Sequence, residues 1–145
     1  MTRIIPPVLT LIGGVLNLTL HFLIDNSFSF GWHTIGALLM PFGFYVFKSS
    51  VGQITSAKTQ IHTFKKPTKM LTNGTFGWSR NPIYLGFLLF LLGIGFLLGS
   101  WVSFTGTLLF FGVANVWYIP YEERVMTLEF GASYLDYKKR VRKWI

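Results

Sequence analysis

Arg80, Asn81 and Pro82 stand together at the start of a long apolar stretch. The pair Asn81-Pro82 predicts a helix start, with Asn81 as the N-cap and Pro82 at the first helical position, where its missing N–H costs nothing. A helix N-terminus presents free N–H groups and the positive end of the helix dipole, which suit a carboxylate or a phosphate. The guanidinium of Arg80 adds a bidentate donor for the same kind of group. The alternative is that Arg80 and Asn81 are only an interfacial anchor and a helix cap.

Two adjacent carboxylates, Glu122 and Glu123, follow the last apolar stretch of the chain. Carboxylates at the edge of an apolar region are costly unless they meet a cation or a hydrogen-bond donor. One interpretation pairs them with Arg80, Arg124 or a lysine of the preceding polar loop. The other has one of them bind a ligand that carries a hydroxyl or a positive charge.

Other kinds of chemistry have little support in the sequence. The chain has no cysteine, which excludes disulfides, thiolate metal sites and cysteine nucleophiles. Its three histidines, His21, His33 and His62, do not have metal-ligand spacing, so we expect no metal. No Ser-His-Asp arrangement and no glycine-rich nucleotide-binding motif after a strand is visible.

The composition places these polar residues in a membrane protein. Of the 145 residues, 51% are hydrophobic and 12% are charged, whereas a soluble domain carries about 25% charged residues. Four stretches without Lys, Arg, Asp or Glu, at residues 6–24, 32–47, 82–99 and 102–119, are near the ~17–25 residues that cross a bilayer. We therefore expect an all-α polytopic membrane protein with about four transmembrane helices, forming one domain over residues 1–145.

The second stretch is the least certain of the four. It is the shortest, and Pro41 is expected to kink it by freeing the carbonyl of Ala37. The alternative is that one of the four stretches is re-entrant or interfacial.

All 13 Lys and Arg residues fall before the first stretch, between the second and the third, or after the fourth. The positive-inside rule then places both termini and loop 48–81 on the cytoplasmic side of what we expect to be a bacterial or archaeal cell membrane. The net charge of +8 is thus a topology signal and a surface for membrane lipids, and we expect no nucleic-acid partner. The tail, residues 120–145, is expected to form an interfacial C-terminal helix that Gly131 breaks.

The two polar segments together resemble the integral-membrane methyltransferases that include isoprenylcysteine carboxyl methyltransferase and the phospholipid methyltransferases. The resemblance covers residues 68–145. The first segment carries it through Leu71, Thr72, Gly74 and Phe76, then Arg80, Pro82, Tyr84 and Gly86. The second carries it through Glu122 and Glu123, then Phe130, Gly131, Tyr134, Tyr137 and Val141.

This resemblance implies methyl transfer from S-adenosyl-L-methionine to a lipophilic small molecule or lipid at the cytoplasmic face. The implied cofactor-binding residues are Thr68, Lys69, Met70, Leu71, Phe76, Arg80, Asn81, Pro82, Ile83, Tyr84, Glu122 and Glu123. No catalytic residue is implied.

The chain departs from the family pattern at two places. Asn81 stands where the family has a histidine, and an amide cannot act as a base near neutral pH. The arginine that carboxyl methyltransferases carry before the acidic pair has no equivalent near Tyr118, which weakens the prenylcysteine assignment.

Four alternatives remain open from the sequence. A phospholipid amine or a small thiol is a possible acceptor, an NADPH-dependent sterol-type reductase has a similar hairpin, and an inactive membrane scaffold would keep the fold alone. A homodimer is a further possibility, with Gly95 and Gly99 as weak candidates for its contact.

Overall fold

The computed structural model of the protein describes residues 5–24, 27, 31–59 and 67–145. Three of the basic residues counted above, Arg3, Lys65 and Lys66, and the histidine His62 lie outside these ranges.

The described residues form helices joined by short turns, and their β-structure is a single isolated bridge between Ser27 and Ser100. The helices are α1 (Pro6–Leu23), α2 (Trp32–Ser56), the short α3 (Thr75–Trp78), α4 (Pro82–Leu98), α5 (Thr105–Val113) and α6 (Ile119–Arg140). A 3₁₀ turn, Trp101–Phe104, precedes α5, and a π-helical turn, Ala114–Tyr118, joins α5 to α6. The all-α prediction is confirmed.

Three helical segments are long and apolar enough to cross a membrane: Pro6–Leu23, Trp32–Ser56 and the continuous run Trp101–Arg140. The fourth apolar helix, α4, has 17 residues. The protein is therefore an integral membrane protein, as its composition predicts.

The second apolar stretch was predicted to end at residue 47, but the helix that contains it does not end there. The helix α2 continues for nine more residues to Ser56, and it contains Pro41 without ending there. The prediction followed hydropathy, which falls at Lys48. Hydropathy marks the end of an apolar run and not the end of a helix, and in the added turns the buried hydroxyl of Ser50 is satisfied by the carbonyl of Val46, to which it donates at 2.7 Å.

The fourth span and the tail also differ from expectation, because they form one helical run rather than two separate helices. The expected break at Gly131 is confirmed within that run. This residue has φ 52° and ψ −126°, and the helix kinks there. A positive φ of this kind is open to glycine at little cost.

Glycines bring the backbones of α2 and α4 into direct contact. Gly36 and Gly43 lie seven residues apart on α2, and Gly86 and Gly93 have the same spacing on α4. A Cβ atom on Gly43 would lie 2.7 Å from the carbonyl oxygen of Gly86, and one on Gly36 would lie 2.6 Å from that of Gly93. Small residues permit such close approach in membrane helices, and this contact fixes the first turns of α4 beside the last turns of α2.

Gly95 and Gly99, the glycines proposed for a homodimer contact, lie elsewhere on α4 and at its end. Gly95 packs against Phe104, and Gly99 ends α4 with φ 64° beside His33. Both therefore face their own chain. The homodimer itself stays a prediction.

A buried asparagine joins α1 to α5. Asn17 is fully buried, and its Oδ1 accepts a hydrogen bond of 2.8 Å from the backbone N–H of Gly106. Its Nδ2 donates to the hydroxyl of Thr107. Gly13 and Gly106 face each other at the same crossing. The side chain thus accepts from a backbone donor in the first turn of α5, within an apolar region where polar groups need partners.

We predict that Gly86→Ala lowers the melting temperature of the detergent-solubilised protein. The new methyl would lie 2.7 Å from the backbone nitrogen of Phe47, and overpacking of this kind costs roughly 1–3 kcal/mol. Gly52→Ala is the matched control on α2, because its new methyl would meet no neighbouring atom within 4 Å. Its melting temperature should equal or exceed that of the parent. Equal losses in the two variants would show that the α2–α4 contact is not close.

Candidate functional site

A cavity of about 380 Å³ opens at the end of the bundle where α1 and α4 begin and α2 ends, called here the basic end. Its wall is mainly apolar, with contributions from α1, α2, the segment 67–71, α3, α4 and α6. The charged side chains among the described lining residues are Lys69, Arg80, Glu122 and Glu123.

Most of the sequence-predicted site residues line this cavity: Lys69, Leu71, Phe76, Arg80, Asn81, Pro82, Ile83, Tyr84, Glu122 and Glu123. Thr68 and Met70 do not. The hydroxyl of Thr68 lies 3.2 Å from that of Thr59, which also accepts the backbone N–H of Lys69. Met70 lines a separate groove beside α2. Thr68 therefore contacts Thr59, just after the end of α2, and does not line the cavity.

Glu123 is neutralised by two cations. Its Oε1 lies 2.9 Å from Nη2 of Arg80, and its Oε2 lies 2.7 Å from Nζ of Lys138. Nη1 of Arg80 donates to the backbone carbonyl of Lys138 at 3.3 Å. Of the predicted partners, Arg80 is confirmed, and Lys138 is a partner that the sequence did not indicate.

These contacts correct the expected role of Arg80. Its two terminal nitrogens bind Glu123 and the backbone of Lys138, so they do not form a free bidentate fork. Its Nε is buried and has no hydrogen-bond partner among the described residues. A buried donor without an acceptor is costly, and this one belongs to a residue of the cavity wall.

Glu122 has a different environment from its neighbour. Its Oε1 accepts a hydrogen bond of 2.6 Å from the hydroxyl of Tyr84, which comes from the first turn of α4. The ring of Tyr84 stacks on that of Tyr118, with centroids 5.9 Å apart and planes 4° from parallel. This bond joins the two polar segments of the sequence into one wall.

The predicted N-cap position of Asn81 is confirmed, but its side chain does not make the capping bond. Asn81 occupies the N-cap position, but its side chain makes no hydrogen bond to the helix. Its Nδ2 donates to the carbonyl of Lys143 at 2.9 Å, and its own carbonyl accepts the N–H of Leu85. Pro82 occupies the first turn as expected. The amide is used on the tail because Lys143 brings a carbonyl within reach.

Two tyrosines of α6 also line the cavity and were not assigned to the site from the sequence. Tyr134 and Tyr137 follow the kink at Gly131. The hydroxyl of Tyr137 donates to the carbonyl of Phe76 at 2.6 Å. The spacing of Tyr134 and Tyr137 in the tail motif was the sequence signal that could have assigned them to the site.

Residues from the last turns of α2 were missed for a different reason. Val51 and Ile54 contribute apolar surface to the cavity. Both lie beyond residue 47, where the sequence analysis ended the second span.

Comparisons with known proteins agree with the resemblance in the motifs. The sequence model of the family described as phospholipid methyltransferase matches residues 32–133, more than half of the chain. Two curated relatives carry the name protein-S-isoprenylcysteine O-methyltransferase. The chain is 34% identical over 125 residues to that of Schizosaccharomyces pombe, covering 83% of this chain and 51% of the relative. For that of Dictyostelium discoideum the identity is 31% over 124 residues, with 80% and 49% covered.

The chain thus spans about half the length of these curated relatives. An uncharacterized protein of Haemophilus influenzae is 36% identical over 63 residues, which are 43% of this chain and 100% of that protein. No solved structure matches. The matches favour the methyltransferase prediction over a sterol-type reductase.

We predict that Glu123→Gln destabilises the protein, because Arg80 and Lys138 would lose their shared partner. Breaking a largely buried ion pair costs on the order of 3 kcal/mol, and the side chains of Arg80 and Glu123 are only 11% and 17% exposed. Asp136→Asn is the control. It breaks an exposed pair with Lys139, which is worth about 0–1 kcal/mol. Thermal unfolding in detergent measures the melting temperature of each variant. Equal melting temperatures for Glu123→Gln and Asp136→Asn would contradict a structural role for Glu123.

Proposed function

Since the chain belongs to the phospholipid methyltransferase family, we propose that it transfers a methyl group from S-adenosylmethionine to a lipophilic acceptor. The observation that carries this proposal is the hydrogen bond between Tyr84 and Glu122, which closes the two polar segments around one cavity. The positive-inside pattern supports placing the basic end, and hence the cavity, at the cytoplasmic face.

The cavity has the size and the lining that such a cofactor needs. Its volume of about 380 Å³ lies within the ~300–1,000 Å³ of small-molecule sites. Such sites combine an apolar wall with a few placed polar groups, and here those groups include a buried donor on Arg80 and a carboxylate on Glu122.

The start of α4 is the proposed site for the carboxylate of the cofactor. The first turn of a helix has N–H groups without helical partners and carries the positive end of the dipole. Arg80 lies two residues before Pro82, and an anion at the start of α4 would accept a hydrogen bond from its Nε. Arg80 would then hold Glu123 with one edge and the ligand with the other.

The opposite wall suits the rest of the cofactor. An ionised carboxylate accepts about four hydrogen bonds, so Glu122 can hold the hydroxyl of Tyr84 and also accept a ribose hydroxyl or the cofactor's amino group. Phe76 and Tyr134 supply aromatic surface for the adenine ring. Lys69 and Leu71 belong to the same wall.

The cofactor would supply a methyl group on a positively charged sulfur. The methyl carbon would take an electron pair of the acceptor, and the electron pair of the broken carbon–sulfur bond would stay on the sulfur. The leaving thioether is neutral, so the chain's residues need to align the reactants rather than donate a proton.

The acceptor would enter along the apolar part of the wall. Phe47 and Val51 of α2, Phe87 of α4 and Met126 of α6 line it. Two curated relatives are named for methyl transfer to an oxygen of an isoprenylcysteine. A carboxylate or thiolate acceptor needs no base, whereas an amine must lose a proton. We therefore propose an acceptor with an anionic head on a lipophilic tail.

We predict that the detergent-solubilised protein binds S-adenosylmethionine and that Glu122→Gln binds it about tenfold more weakly, because a charged acceptor is lost. Glu129→Gln, an exposed position of α6 outside the cavity wall, is the control and should bind like the parent. Calorimetry with the cofactor alone measures all three. Equal binding by parent and Glu122→Gln, or no binding by the parent, would contradict the proposed site.

The acceptor class gives a further prediction. Membranes that overproduce the protein, given methyl-labelled cofactor and either a prenylated cysteine carboxylate or phosphatidylethanolamine, should label the carboxylate. A methyl ester is recognised because alkali releases its label as methanol. Membranes with Glu122→Gln serve as the background. Alkali-stable label in the phospholipid would contradict an anionic acceptor, and label in neither would contradict a lipophilic acceptor of these kinds.

A further inference from the structure

A single asparagine stands in the π-helical turn between α5 and α6. Both polar atoms of the Asn115 side chain are hydrogen-bonded, and its Nδ2 donates to the carbonyl of Phe111 at 3.0 Å. Its Oδ1 accepts from Nζ of Lys143 and from Nε1 of Trp144, each at 3.2 Å. A polar side chain in an apolar helix is costly unless it is bound, and here its binding partners come from the tail. π-Helical turns are frequent at functional sites.

The tail segment that reaches Asn115 is residues 141–144, called here the closing strap. It begins in extended conformation at Val141, directly after α6. The indole of Trp144 stacks on Phe111, with ring centroids 5.4 Å apart and planes at 30°. Lys143 and Trp144 are therefore held to α5 by one stack and to the π-helical turn by two hydrogen bonds.

Between these points the closing strap crosses the start of α4. The carbonyl of Arg142 accepts the backbone N–H of Arg80 at 3.0 Å. The carbonyl of Lys143 accepts Nδ2 of Asn81 at 2.9 Å and the hydroxyl of Ser79 at 3.3 Å. Ser79 is fully buried and Asn81 is 6% exposed, so these bonds are shielded from water.

We propose that Asn115 is a positioning residue for the cofactor site. It anchors the closing strap, and the strap sets the backbone of Arg80 and Asn81, two residues of the cavity wall. This inference rests on the proposed function and adds a residue to it that does not line the cavity. Asn115 is not among the described residues that line the cavity, so the proposed site would depend on a contact outside its own wall.

The contacts also show what the side-chain amide of Asn81 binds. It donates one N–H to a carbonyl of the closing strap, and this hydrogen bond needs a donor and no base. Arg80 is held from three directions: by Glu123, by the carbonyl of Lys138 and by the closing strap. Loosening the strap should therefore change where the guanidinium lies without removing any cavity group.

Asn115→Ala removes the acceptor of both Lys143 and Trp144. We expect the KM for S-adenosylmethionine to rise about tenfold, the effect of losing one or two hydrogen bonds. The kcat should change by less than about twofold, because the strap touches no reacting atom. Asn115→Asp keeps an oxygen for both donors and places a negative charge beside Lys143, so its KM should return to that of the parent.

Trp32→Phe is the matched control. Trp32 stacks on Phe96 with centroids 5.8 Å apart, as Trp144 stacks on Phe111, but at the other end of the bundle. Its KM and kcat should equal those of the parent.

A second measurement tests the strap without any cofactor. The backbone N–H of Arg80 should exchange its hydrogen faster in Asn115→Ala than in the parent, because its acceptor on Arg142 is less firmly held. Unchanged exchange would overturn the anchor, and faster exchange with an unchanged KM would overturn the positioning role. A parent that binds no cofactor would contradict the proposed function, and the exchange comparison would still decide whether Asn115 anchors the strap.

Discussion

The close contact of α2 with α4 is the constraint on which the rest of the structure depends. A Cβ atom on Gly43 would collide with the backbone at Gly86, and one on Gly36 would collide with the backbone at Gly93. Because a lipid environment offers little hydrophobic force between helices, such packing is a main source of their association. The contact brings the polar last turns of α2 and the start of α4 to one end, and the cavity lies between them.

The two adjacent carboxylates, Glu122 and Glu123, have different partners. Glu123 is bound by Arg80 and Lys138 and holds the tail against α4. Glu122 contacts Tyr84 at the cavity wall. The pair carries like charges on neighbouring residues, and the helix separates them because successive side chains on a helix point about 100° apart. One carboxylate therefore secures the fold while the other remains beside the cavity.

Much of the fold could be predicted because its signals are local. Hydropathy gave the bounds of α1 and α4 closely, and the break at Gly131 followed from its residue type. The end of α2 could not be predicted from hydropathy, because hydropathy marks where an apolar run ends and the polar sequence after residue 47 stays helical.

The site could be predicted only as far as its residues belong to recognisable motifs. The wall residues of α4 and the acidic pair were named from the sequence, and the structure brings them together. The bond from Asn81 to Lys143 spans 62 residues, and the anchoring of the closing strap at Asn115 is equally hidden from the sequence. Contacts of this kind follow no periodicity, so only the folded chain reveals them.

The most direct test of the cavity as the cofactor site is ultraviolet crosslinking of methyl-labelled S-adenosylmethionine to the parent protein, followed by mapping of the labelled peptides. Label in peptides from residues 67–84 and 120–137, removed by excess unlabelled S-adenosylhomocysteine, is the expected result. Label confined to the opposite end of the bundle, or label that the competitor does not remove, would contradict a cofactor site at the basic end.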